Sequence, residues 1–68
     1  MKTYIAFVYD GIEKAYLCQA NNKKQMKAAG MNMKLGWTSY ESYEKAKNEI
    51  ACRGVEVKNE TNVTNFKY

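Results

Sequence analysis

The chain has 68 residues, eleven Lys/Arg against seven Asp/Glu for a net charge of +4, and neither His nor Pro. A chain this short forms one domain, residues 1–68, and buries only about 60% of the surface its unfolded form exposes, so its stability is marginal unless something reinforces the core. Without His, and with Cys18 and Cys52 as two lone cysteines outside any C-x-x-C pair, the usual zinc-ligand sets are excluded, and no metal or cofactor is expected.

The two cysteines are expected as free thiols in a reducing compartment, the alternative being a single Cys18–Cys52 disulfide. A homodimer is the other common way to reinforce so small a core. The N-terminal residues carry no apolar h-region and no apolar run is long enough to span a bilayer, so a cytoplasmic protein without membrane contact is expected. The positive charge is nearly all lysine, Arg53 being the one arginine. Such a surface attracts polyanions but lacks the arginines of a specific base reader. Lys, Asn and Tyr have AT-rich codons, so part of this bias reflects the genome.

Lys2–Tyr9 is rich in β-branched and aromatic residues and apolar on both alternating sets, as in a central strand covered on both faces. Asp10-Gly11 follows, a strong hairpin signal, with Gly11 supplying φ > 0. A two-residue turn there pairs Tyr9 with Ile12, Phe7 with Lys14 and Ile5 with Tyr16. That register gathers Tyr4, Ala6, Val8, Ala15 and Leu17 on one face and the larger Ile5, Phe7, Tyr9, Ile12, Tyr16 and Cys18 on the other.

Asn22 with Gln25 three residues later forms a capping-box pattern opening a helix from Lys23 to about Met33, with Met26, Ala29, Gly30 and Met33 on its apolar stripe. Gly30 predicts either close approach to the sheet or an early end to a short helix. Gly36 suits a left-handed C-cap, and Thr38 with Glu41 predicts a second helix starting near Ser39. Tyr40, Tyr43, Ala46, Ile50 and Ala51 would share its apolar face, with Arg53 in its last turn and Gly54 ending it. Val55–Lys58 alternates like a strand, Asn59-Glu60 reads as a turn, and Thr61–Tyr68 is either a fourth edge strand or a tail. The expected fold is α+β: a small antiparallel sheet in the order β-β-α-α-β, with two helices packed on one face.

No catalytic residue is assigned, and a non-enzymatic protein is expected. A cysteine nucleophile needs a neighbouring base, and no His exists to supply one. Glu41 and Glu44 are i,i+3 neighbours of the kind common on exposed helix faces. No glycine-rich phosphate loop is present, and Asn59-Glu-Thr61 and Asn62-Val-Thr64 match the glycosylation pattern through Asn/Thr richness alone.

Two binding surfaces stand out. If the helices cover one sheet face, Ile5, Phe7, Tyr9, Ile12 and Tyr16 form an apolar aromatic patch larger than a small monomer exposes. Patches of this kind fit protein interfaces, and either a second protomer or a host protein or protein complex would cover it. The second surface is the basic run Lys23, Lys24, Lys27 and Lys34 with Trp37 and other aromatics, which suits nucleic acid. In size and composition the chain is similar to small phage and mobile-element accessory proteins, which include anti-CRISPR and other host-takeover inhibitors. That likeness implies an inhibitor occupying a surface on a larger host defence machine, and it carries over no residue. A protein-binding module of this type is the first expectation, and a small basic nucleic-acid-binding protein is the alternative.

Overall fold

The structure is a computed structural model that describes residues 1–67. Its elements are β1 (Lys2–Asp10), β2 (Ile12–Ala20), α1 (Lys23–Ala28), a 3-10 turn (Met33–Leu35), β3 (Thr38–Tyr40), α2 (Tyr43–Arg53) and β4 (Glu56–Asn62). The strands form one sheet in the order β3-β1-β2-β4. The α+β class and the β-β-α-α-β progression agree with expectation. The strand register, the direction of the last strand and the placement of the helices differ, and the three differences are linked.

Asp10 pairs with Ile12, leaving Gly11 alone at the apex with φ 81°. The hairpin register is therefore one residue away from the expected two-residue turn, and Phe7 faces Ala15 instead of Lys14. Because side chains alternate with a period of two, a slip of one residue moves every β2 side chain to the other face relative to β1. The observed register places a small residue opposite three of the four hairpin aromatics: Tyr4 with Cys18, Tyr16 with Ala6 and Phe7 with Ala15. The expected register would have crowded Ile5, Phe7, Tyr9 and Tyr16 onto one side.

Both faces of the sheet are now apolar, and both are covered. Tyr4, Ala6, Cys18 and Ala20 pack with Met26 of α1, Trp37 and Val63. Ile5, Ala15 and Leu17 pack with Ala46 and Ile50 of α2. The two helices thus lie on opposite faces, not on one. Strand directions give the reason. β3 and β2 are each antiparallel to β1, and β4 is parallel to β2, so the sheet is mixed and not wholly antiparallel. The chain crosses over β1 to reach β3, then returns over β1 and β2 to reach β4. Two crossovers of the same hand that travel in opposite directions must use opposite faces.

Local chemistry sets the element ends. Asn22 caps α1, its Oδ1 accepting from the Gln25 amide at 2.9 Å. Gly30 has φ 84° with nothing within 4 Å of where a Cβ would sit, so it ends a short helix and makes no close approach. The helix stops at Ala28, well before Met33. Thr38–Tyr40 pairs with Thr3–Ile5 as an edge strand, and α2 begins four residues later than expected, with Ser42 Oγ accepting from the Lys45 amide at 3.2 Å. Thr38–Tyr40 is the fourth strand in place of the C-terminal stretch. Asn59 and Glu60 lie within β4, not in a turn, because a bulge lets this polar edge strand continue to Asn62. Val63 then tucks into the core, and Tyr68 of the expected C-terminal strand or tail lies outside the described residues.

Gln25 holds the α1 layer together. It is 1% exposed, and its Nε2 donates to the carbonyls of Thr64 at 2.9 Å and Phe66 at 2.7 Å. Its Oε1 accepts from the Asn21 amide at 2.6 Å. Gln25→Ala leaves these backbone groups without a partner, and a loss of about 2–3 kcal/mol is expected in the unfolding free energy from denaturant titration, with faster hydrogen exchange in residues 63–66. A variant within about 0.5 kcal/mol of the parent, the range of ordinary surface changes, would show that this latch contributes nothing.

Candidate nucleic-acid interface

The five residues of the expected apolar patch are not brought together. Ile5 is 1% exposed, beneath α2, and Phe7 is half-buried on the same face. The Arg53 guanidinium sits 4.2 Å from the Phe7 ring centre and donates to Glu13. Tyr16 lies on the opposite face, against the α1 layer. Only Tyr9 and Ile12, at 78% and 73% exposure, remain outside, flanking the hairpin tip. The one-residue change in register is what divides the patch.

The basic residues behave differently. Lys23, Lys24, Lys27 and Lys34 are all exposed, three on α1 and one in the 3-10 turn. Between Glu13 and Glu41 the chain carries five lysines and no acidic residue, whereas the other six cations and seven anions nearly cancel. Lys14 is on β2, and the other four, Lys23, Lys24, Lys27 and Lys34, lie in the segment that covers one sheet face and equal the net charge of the molecule. Both ion pairs found among the described residues, Lys45–Glu41 and Arg53–Glu13, involve residues of α2. Lys45 holds the Glu41 carboxyl below its ordinary range, mainly through their hydrogen bond. Among the described residues no ion pair involves the lysines of α1.

Trp37, expected as an exposed stacking surface, is 5% exposed, and its Nε1 donates to the Asn32 carbonyl at 2.9 Å. Its indole instead forms part of the wall of a cleft of about 190 Å³ between the 30–37 segment and the β2–β4 edge. Tyr16, Met31 and Leu35 supply further apolar wall, and Asn32, Asn59 and Thr61 supply polar groups. A bulge builds this site. Ala15 pairs with Val57 but Tyr16 pairs with Asn59, so Lys58 is the extra residue. Val57 packs toward α2, and after the bulge Asn59 and Thr61 are turned to the Tyr16 side. Strict alternation would have aimed them at α2. Sequence reasoning found the lysines and Trp37 but missed Tyr16, Asn59 and Thr61 as parts of one cleft. Gly30 and Gly36, both left-handed, were the available signal that this segment is a shaped loop and not a continuous helix.

No helix is long and apolar enough to cross a membrane, and among the described residues no cluster of His, Cys, Asp and Glu could hold a metal ion. No protein-family model matches the chain, and comparison with curated proteins and with solved structures gave no match.

The cysteines are free, Cys18 buried and Cys52 exposed. Burial pushes the Cys18 thiol above its ordinary pKa, which lowers the fraction of reactive thiolate. In the folded protein at neutral pH a thiol reagent is expected to label Cys52 alone, with Cys18 reacting only after unfolding. Mass mapping of the labelled sites checks this, and equal labelling of both under native conditions would contradict the burial.

Proposed function

We propose that the protein is a non-enzymatic, cytoplasmic binding module that contacts nucleic acid through the lysine layer of α1 and the 3-10 turn. The observation that carries this reading is the charge of Lys23, Lys24, Lys27 and Lys34, without an ion-pair partner among the described residues, on a molecule whose other seven cations and seven anions balance. Lysines on a solvated helix act as point charges toward phosphates. They position a strand and confer affinity but carry no base identity. The binding is therefore sequence-tolerant and strongly salt-dependent.

Fluorescence anisotropy with a labelled single strand, titrated across salt concentrations, tests it. With the four lysines replaced by Gln, the slope of log affinity against log salt should fall by up to about 3, at about 0.7 for each phosphate no longer neutralised. Failure to bind at low salt, or a slope the four substitutions leave untouched, sinks the proposal.

A protein-binding role is the second reading, and the exposed hairpin tip favours it. Tyr9 and Ile12 flank Gly11, and β3 pairs with β1 only at Thr3–Ile5, so the tip projects beyond the covered part of the sheet. A hollow of about 200 Å³ lined by Ile12, Lys14 and Glu56 adjoins it. On this reading the module occupies a surface on a host protein, as an inhibitor does. Replacing Tyr9 and Ile12 together with Ser should leave stability within about 0.5 kcal/mol, since both are already solvated, and should abolish partner capture. Capture of the same partner by the double variant would place the contact elsewhere.

A further inference from the structure

The cleft beside β4 has a chemistry that the lysine layer does not account for. Among the described residues no charged side chain lines it, although about a quarter of the chain is charged. Its walls combine the aromatic rings of Tyr16 and Trp37 with the soft apolar chains of Met31 and Leu35. Its polar groups include two side-chain amides. Thr61 Oγ1 donates to Asn59 Oδ1 at 3.2 Å, and the Asn59 amide nitrogen has no partner among the described residues. Asn32 Oδ1 accepts from the Lys34 amide at 3.0 Å, leaving its amide nitrogen likewise free.

We infer that this cleft receives one unstacked nucleobase of a strand whose phosphates lie along the α1 lysines. The inference rests on the nucleic-acid reading above and adds to it the form of the ligand. At about 190 Å³ the cleft is smaller than the roughly 300–1,000 Å³ of drug-sized sites and suits a single ring-sized group. A neutral lining disfavours a phosphate or carboxylate inside it, because a buried charge needs a partner. Aromatic and thioether walls suit a planar ring, and amide donors suit the edge of a base. Two lysines neighbour lining residues along the chain. Lys34 adjoins Leu35 in the 3-10 turn, and Lys14 lies two residues before Tyr16 on the same strand. A base held in a duplex stack cannot enter, so the site selects single strands.

Trp37 is the sole tryptophan, so its emission reports on the cleft directly. The test compares an oligothymidylate of about eight nucleotides, within the usual single-strand site sizes, with an abasic strand bearing the same number of phosphates. The base-bearing strand should bind about 10-fold tighter, as one stacked base allows, and should change Trp37 emission. Asn59→Ala, at an exposed edge position, should weaken that strand several-fold while leaving the abasic affinity and the salt slope unchanged. Equal affinity for the two strands would overturn the base pocket and leave the lysine layer standing. So would tighter binding of the base-bearing strand with unchanged Trp37 emission and a neutral Asn59→Ala. Failure of either strand to bind would remove the nucleic-acid reading itself.

Discussion

The pairing of Asp10 with Ile12 around Gly11 decides which side chains share a face along the nine residues of each central strand. With this register, Tyr4, Ala6, Tyr16 and Cys18 stand on one side and Ile5, Phe7, Ala15 and Leu17 on the other. Both sides are apolar, so neither can be left to water in a chain with so little core to spare. A two-layer arrangement with both helices on one face is then ruled out by the hairpin itself. The remaining 48 residues, fewer after the turns are set aside, have to supply two covers.

They do so with little regular structure. α2 covers its face with 11 residues, but α1 has only six, far too few for an isolated helix to persist in water. Its order comes from tertiary contact: Met26 is buried in the sheet, and Gln25 is bonded to the carbonyls of Thr64 and Phe66. The C-terminal segment thus closes the α1 layer after β4 has completed the sheet. The 3-10 turn and Trp37 fill the rest of that face, and the cleft opens where they stop short of β4.

The legible part of this fold was its punctuation. Asn22, Gly30, Gly36 and Gly54 act at element ends through capping and left-handed backbone, properties a residue carries with it. The hairpin was legible from Asp10-Gly11, but its register was not, because the choice between one and two residues at the apex turns on cross-strand packing, which sets Tyr4, Phe7 and Tyr16 opposite small residues. β3 escaped notice because three residues give no period, and Thr38 with Glu41 imitates a helix cap. The lysines of the candidate site were readable as a charge run. The cleft was not, since it depends on a bulge that appears only when β4 is laid against β2. The apolar patch failed for the same reason as the register, with Tyr16 moving to the other face.

The charge pattern of α1 runs against the helix that carries it. Its first turn holds no acidic residue, and Lys23 and Lys24 stand at the end where the helix dipole is positive. Lys23 and Lys27 are like charges at i,i+4, a pairing that costs roughly 0.2–0.5 kcal/mol in a helix. In α2 the pattern is favourable, with Glu44 in the first turn, Arg53 in the last and Lys45 paired to Glu41. The charges of α2 therefore support its fold, whereas in α1 only Lys27, in the last turn, is favourably placed for the dipole. Sequence choices that oppose local stability concentrate where a surface serves something other than folding. An anion laid across α1 would relieve both the dipole conflict and the lysine repulsion, so binding there would strengthen the weakest cover of the sheet.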